Sequence, residues 1–216
     1  MMVDKILNRI GQTKIVAAVR GIPGSHLNAT LEALYSGGIR CVEITMDNPE
    51  GMRMLEQAKQ VYGDRMLIGA GTVLDMVTAR NVIMAGADYV LAPTLSLDVI
   101  KVCNTYGKLA VPGVLTPTEA LSAWQAGAQL IKVFPVSKLG PQYIKDLLGP
   151  LRQMNLMPMG GVNLENAAEF MKAGAFALGV GSCLVNKTMV EKEDYAGIQT
   201  YAQKLTDAVK TDLLTP

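Results

Sequence analysis

The chain has 216 residues, 50% of them hydrophobic and 18% charged, with 20 basic against 19 acidic side chains and a formal net charge of +1. That balance gives no electrostatic reason to expect nucleic acid or an anionic membrane as partner, and leaves small molecules as the expected clients. Cys41, Cys103 and Cys183 are far apart with no metal-ligand spacing, and His26 is the single histidine, which argues against a disulfide framework, a zinc site or a Ser-His-Asp triad.

The length suits one large α/β domain over residues 1–216 better than two small ones. No charged-then-apolar leader pattern opens the chain, and glycine, proline or charge interrupts each apolar run well short of ~18 residues. A soluble, cytoplasmic protein is the expectation.

In chain order, an amphipathic helix comes first, over about residues 1–11 with Val3 to Ile10 at its centre. His26 follows Pro23-Gly24-Ser25, where a helix should begin, and reads as an exposed residue of its first turn. Short apolar, β-branched runs then alternate with helical segments, as parallel βα units require. The strand candidates are Lys14 to Val19, Cys41 to Thr45, Met66 to Ala70, Tyr89 to Ala92, Leu109 to Val111, Leu130 to Phe134, Met157 to Met159 and Ala177 to Gly179. Eight such runs close a (β/α)8 TIM barrel. An open doubly wound sheet is the alternative architecture.

A finer repeat supports this order. Gly38, Gly86, Gly127 and Gly174 each stand between a helical segment and an apolar run, where a helix C-cap needs positive φ. The polar segment Asn186 to Asp194 reads as a loop. A final amphipathic helix is expected from Tyr195 to about Leu213.

Within this order two strands carry ionisable residues. Lys132 interrupts Leu130-Ile131-Lys132-Val133-Phe134, and Glu43 sits in Val42-Glu43-Ile44-Thr45. A lysine removed from water favours its neutral form, which attacks ketones to form a Schiff base. A nearby glutamate can handle the protons. The plainer readings are a Lys132 that snorkels to solvent, a structural ion pair between the two, or outward-facing side chains.

If the strands form a barrel, their C-terminal ends converge on one mouth. Arg20 would then follow strand one and Thr72 strand three, with Pro93 after strand four and Phe134 at the end of strand six. Gly160 and Gly161 follow strand seven, and Gly181 and Ser182 follow strand eight, positions whose main-chain amides bind phosphate in many barrels. Arg20 can grip a carboxylate or be a solvated strand end; Thr72 can donate to a substrate oxygen or cap the next helix.

The segments Val42-Glu43-Ile44-Thr45, Ile68-Gly69-Ala70-Gly71-Thr72-Val73, Val111-Pro112-Gly113-Val114, Ile131-Lys132-Val133-Phe134-Pro135, Gly160-Gly161-Val162 and Gly179-Val180-Gly181-Ser182 together resemble the successive motifs of the KDPG/KHG aldolases. The resemblance runs from about residue 14 to residue 185. It implies a class I aldehyde-lyase with a TIM-barrel fold, no metal and no cofactor, usually a homotrimer. Its expected substrate is 2-keto-3-deoxy-6-phosphogluconate, cleaved to pyruvate and glyceraldehyde 3-phosphate, with 4-hydroxy-2-oxoglutarate as a further substrate.

By the same resemblance Lys132 matches the Schiff-base lysine, Glu43 the acid/base group, Thr72 the residue at the pyruvyl carboxylate, and Phe134 an aromatic lining the site. Gly160, Gly161 and Ser182 match phosphate-binding positions. One position departs: Asp47 stands where an arginine commonly holds substrate anions, and an acid there is expected to repel a carboxylate, leaving Arg20 to take over part of that work. The galactonate-specific branch also lacks that arginine and shares the type of stretch at Leu139 to Lys145, so the galactonate epimer is the alternative substrate. A phosphosugar epimerase or isomerase and a non-catalytic sugar-phosphate binder are the readings from other classes.

Overall fold

In a computed structural model, which describes residues 2–211, helix α1 (Met2–Thr13) leads into nine parallel strands interspersed with helices. The strands are β1 (Ile15–Val19), β2 (Cys41–Thr45), β3 (Leu67–Gly71), β4 (Tyr89–Leu91), β5 (Leu109–Val111), β6 (Gly113–Val114), β7 (Ile131–Val133), β8 (Leu156–Pro158) and β9 (Leu178–Val180). The connecting helices are α2 (Leu27–Ser36), α3 (Gly51–Tyr62), α4 (Met76–Met84), α5 (Leu97–Thr105), α6 (Pro117–Gln125), α7 (Gly140–Leu148), α8 (Ala167–Lys172) and α9 (Lys187–Glu191), and α10 (Tyr195–Thr211) ends the described chain. The expected end of the last helix at Leu213 lies outside the described residues.

The strands pair in parallel throughout, as a curled six-stranded sheet of order β5-β4-β3-β2-β1-β9 and a three-stranded sheet of order β6-β7-β8. The expected fifth strand, Leu109 to Val111, forms as β5, and a further short strand, β6, follows it beyond Pro112. Proline has no N–H to give to a ladder, although the Pro112 carbonyl still accepts from Lys132 N at 2.9 Å. Gly113 is needed beyond it, because a Cβ there would overlap the Pro93 carbonyl. On the other side the sheets meet at a parallel bridge between Met159 and Gly179.

Alternation along the strands sorts the residues into two layers. Ile15, Ala17 and Val19 of β1, Val42 and Ile44 of β2, and Ile131 and Val133 of β7 face the surrounding helices in the main core. A second apolar cluster occupies the inner face near the N-terminal ends of the strands: Val16, Cys41, Tyr89, Leu109, Leu130 and Met157, closed off by Ile6 and Ile10 of α1. Cys41 and Leu130 of this inner cluster each lie two residues before Glu43 and Lys132. Period-two alternation therefore brings both ionisable side chains to the inner face, one layer higher.

Gly38, Gly86, Gly127 and Gly174 all adopt positive φ, between 93° and 98°, as the repeat predicts. Two local expectations fail. The segment Asn186 to Asp194 is not all loop: Asn186 caps α9 by accepting from Met189 N at 3.2 Å, and Val190 is buried beneath that turn. His26 is not an exposed first-turn residue; it is half-buried at the N-cap of α2, with Nδ1 2.7 Å from the hydroxyl of Tyr195.

Candidate active site

Strand pairing sets the depth of the site. Gly113 of β6 lies opposite Lys132 of β7, which lies opposite Met157 of β8; Ala18 of β1 pairs with Glu43 of β2, which pairs with Gly69 of β3. Lys132 is 2% exposed and Glu43 fully buried. Gly71 leaves room for the carboxyl, since a Cβ there would overlap Glu43 Oε2, and Gly69 leaves room for the Tyr89 ring below it.

The two ionisable groups are electrostatic neighbours without being bonded. Both Glu43 carboxyl oxygens lack a hydrogen-bond partner among the described residues, so the two groups form no directly bonded pair. Burial lowers the Lys132 pKa from its ordinary value, against the opposing pull of the Glu43 charge and with a small push from Arg20. Burial likewise raises the Glu43 pKa, and Lys132 and Arg20 offset only part of this. Both shifts run toward the neutral forms: an amine attacks a carbonyl once it has lost its proton, and a carboxyl that takes up a proton more readily suits acid-base work. Lys132 does not snorkel to solvent; its ammonium lies 4.8 Å from the centre of the half-buried Phe134 ring.

Above this pair opens a cavity of about 520 Å³. Its walls include Ala18, Arg20, Lys132, Phe134, the Gly160-Gly161 turn, and the segments Gly181 to Cys183 and Val185 to Thr188. The glycine turn is shaped by its neighbours: Gly160 and Gly161 have φ of 80° and 103°, and a Cβ would press on Phe134 at the first and on Ser137 at the second. Six of the ten candidate residues therefore share one cavity with Lys132: Arg20, Phe134, Gly160, Gly161, Gly181 and Ser182. Glu43, Thr72 and Pro93 are not part of its wall.

Thr72 touches the cavity through Arg20. Its hydroxyl accepts from Arg20 Nη2 at 2.7 Å, while Arg20 Nη1 lies 3.5 Å from Asp47 Oδ2. Thr72 is not the cap of α4; Asp75 is, accepting from Val77 N and Thr78 N. Its φ of 58° is unusual for a β-branched residue and costs about 1–3 kcal/mol of the kind often stored at functional sites. Asp47 does not stand free to repel an anion, because it is paired with the guanidinium.

Sequence reasoning missed Lys187, Asn163, Asn186 and Thr188, which also line the cavity. The segment containing Lys187 has the composition of a solvated loop, and no motif marks it. The lining residues include three basic side chains, Arg20, Lys132 and Lys187, and no acid. Among the described residues no group of three or more His, Cys, Asp or Glu could hold a metal ion, and no helix is long and apolar enough to cross a membrane.

Parallel strands that raise a desolvated lysine and carboxyl to one end, beneath a cavity walled by basic side chains and glycine turns, define an α/β enzyme for small molecules. The chain belongs to the KDPG and KHG aldolase family, whose model matches residues 6–201, and it is thereby an aldehyde-lyase. It is 38% identical over 176 residues to 2-dehydro-3-deoxy-6-phosphogalactonate aldolase of Escherichia coli (strain K12), covering 80% of this chain and 86% of that one. It is 28% identical over 214 residues to 2-dehydro-3-deoxy-phosphogluconate aldolase of Haemophilus influenzae, covering 96% and 98%. A solved structure described as native KDPGal superposes with a TM-score of 0.87 at 33% identity, over 93% of this chain and 96% of that one.

Proposed function

We propose that this protein is a class I aldolase that cleaves a 6-phosphorylated 2-keto-3-deoxy sugar acid to pyruvate and glyceraldehyde 3-phosphate, without metal or cofactor. The observation that carries the reading is the buried Lys132, held toward its neutral amine and opening onto a cavity whose wall has cations and no acid. The amine adds to the C2 ketone, water is lost, and the protonated imine accepts the electron pair of the C3–C4 bond as it breaks. Glu43 gives its proton to the departing water, then as a carboxylate removes the C4 hydroxyl proton directly or through water, and returns a proton to C3 of the enamine. Thr72 and Arg20 hold the carboxylate end, Phe134 shapes the wall, Pro93 backs Gly113 from outside it, and Gly160, Gly161, Gly181 and Ser182 receive the phosphate.

Both gluconate and galactonate epimers fit this chemistry, since they differ at C4 and not at the imine carbon. Phosphogluconate is the first reading and 4-hydroxy-2-oxoglutarate an additional substrate. The galactonate reading has its own support in the 38% identity to the Escherichia coli enzyme and in Asp47, which engages Arg20. Pyruvate release from each purified epimer separates them: a preference of at least tenfold for one assigns the substrate, and release from neither overturns the aldolase reading.

We further propose a closed barrel and a trimeric assembly for this enzyme. The sheets close as a single (β/α)8 domain, through Pro112 on one side and the Met159 to Gly179 bridge on the other, with α1 and α10 as additions. Copies associate as a homotrimer, supported by the exposure of Leu74, Met76, Val77 and Leu97 beside the C-terminal ends of neighbouring strands. Light scattering giving a monomer at micromolar concentration would remove that part.

A further inference from the structure

Three basic side chains line the cavity, and two of them are already committed. Lys132 lies at its buried floor, and Arg20 is held between Thr72 and Asp47. Lys187 is different. It is exposed, it stands at the rim, and among the described residues its ammonium makes no hydrogen bond and no ion pair.

Its position is specific. The side chain folds back across Gly21, where a Cβ would lie 2.7 Å from Lys187 Cε and 2.8 Å from Nζ. Gly21 has a φ of 62°, so its backbone also favours glycine, and the missing side chain leaves the bed in which the lysine lies. The backbone that carries Lys187 continues from Gly181 and Ser182 through Val185 and Asn186, all part of the same wall. Asn186 caps the turn that begins at Lys187, which fixes the direction of departure of its side chain.

We infer that Lys187 is the residue that selects for a phosphoryl group at the far end of the substrate. This rests on the aldolase reading: a ligand whose C2 is bound to Lys132 at the floor must extend toward the rim, where its last group meets Gly161, Ser182 and Lys187. A dianionic phosphate there gains a charge-assisted contact from an ammonium that has no competing partner. A hydroxyl in the same place gains little. Glycine turns supply shape and main-chain donors to either group; the unpaired charge supplies the difference between them.

The test compares cleavage of the 6-phosphorylated sugar acid with that of its unphosphorylated counterpart in the full-length protein. For Lys187→Met the ratio of kcat/KM values is expected to fall about tenfold to a hundredfold, mainly through KM, as for loss of one charge-assisted hydrogen bond. Lys187→Arg is expected to restore part of that ratio. An unaltered ratio, including equal losses on both substrates, overturns the inference, because a merely structural lysine affects both alike. Calorimetric titration with inorganic phosphate at low salt tests the same residue apart from catalysis: binding at least several-fold weaker in Lys187→Met supports it, and equal binding refutes it. If the unsubstituted protein cleaves neither sugar acid, the aldolase reading fails while the phosphate titration still decides the role of Lys187.

Discussion

Glu43 and Lys132 are buried in one interior layer and feel each other's charge, yet no hydrogen bond joins them. A buried charge pair in direct contact would quench both groups; this separation leaves an amine free to react and a carboxyl free to handle a proton. The proposed chemistry follows from that spacing.

Lys132→Met is expected to abolish the pyruvyl adduct trapped by borohydride and to reduce cleavage by at least about 10⁴-fold, consistent with loss of a covalent nucleophile. Intact-mass spectrometry with peptide mapping checks this, and an adduct that persists at another lysine would remove Lys132 from its role. The same substitution should not weaken the fold. Because burial lowers the folded pKa of Lys132 below its ordinary 10.5, the unfolded chain binds the extra proton in the window between the two values, and stability rises with pH through it. Urea melts at pH 7 and pH 9.5 are therefore expected to show the variant more stable by about 1–3 kcal/mol at the lower pH, with a flatter pH slope.

Imine formation requires the free amine, so trapping is expected to slow as pH falls through the lowered Lys132 pKa. The Glu43 charge opposes that lowering. In Glu43→Gln the opposing charge is gone, and the acid limb of the trapping rate moves to lower pH even as overall cleavage drops about 10²–10⁴-fold. A limb that moves upward, measured by quenched-flow trapping, would show that the two groups do not interact in this way.

Gly71→Ala places a Cβ on the Glu43 carboxyl and is expected to cost about 1–3 kcal/mol in urea unfolding together with most of the activity. Gly181→Ala is the steric contrast. A Cβ there meets nothing within 4 Å, and its stability is expected within about 0.5 kcal/mol of the parent. Equal stability of the two variants would contradict the packing described around Glu43.

Asp47→Ala frees Arg20 from an exposed ion pair. Exposed pairs hold about 0.2–1 kcal/mol, so the KM for pyruvate, measured in the aldol-addition direction, is expected to fall two- to fivefold as the guanidinium turns to substrate. A rise in KM would mean that Asp47 holds Arg20 in the productive orientation.

Much of this arrangement is legible in the chain, for identifiable reasons. Buried parallel strands read as continuous apolar runs, so Lys132 and Glu43 stand out within them, and glycine at positive φ after a helix leaves a regular mark at Gly38, Gly86, Gly127 and Gly174. What escapes the sequence depends on tertiary neighbours. The short strand β6 forms beyond Pro112, Asp47 meets a guanidinium 27 positions earlier in the chain, and Lys187 acquires its place only because Gly21 leaves a bed for it. The buried Val190 gives the segment from Asn186 a helical turn that its polar composition conceals.

The seal formed by Ile6 and Ile10 of α1 over Tyr89 and its neighbours governs traffic as well as packing. With the N-terminal ends of the strands closed, Lys132 is served from the cavity side alone. In the proposed reaction the aldehyde leaves by the route through which water must enter to hydrolyse the remaining imine. In that reaction the aldehyde has to leave before water reaches the imine carbon, so one opening serves both products in turn.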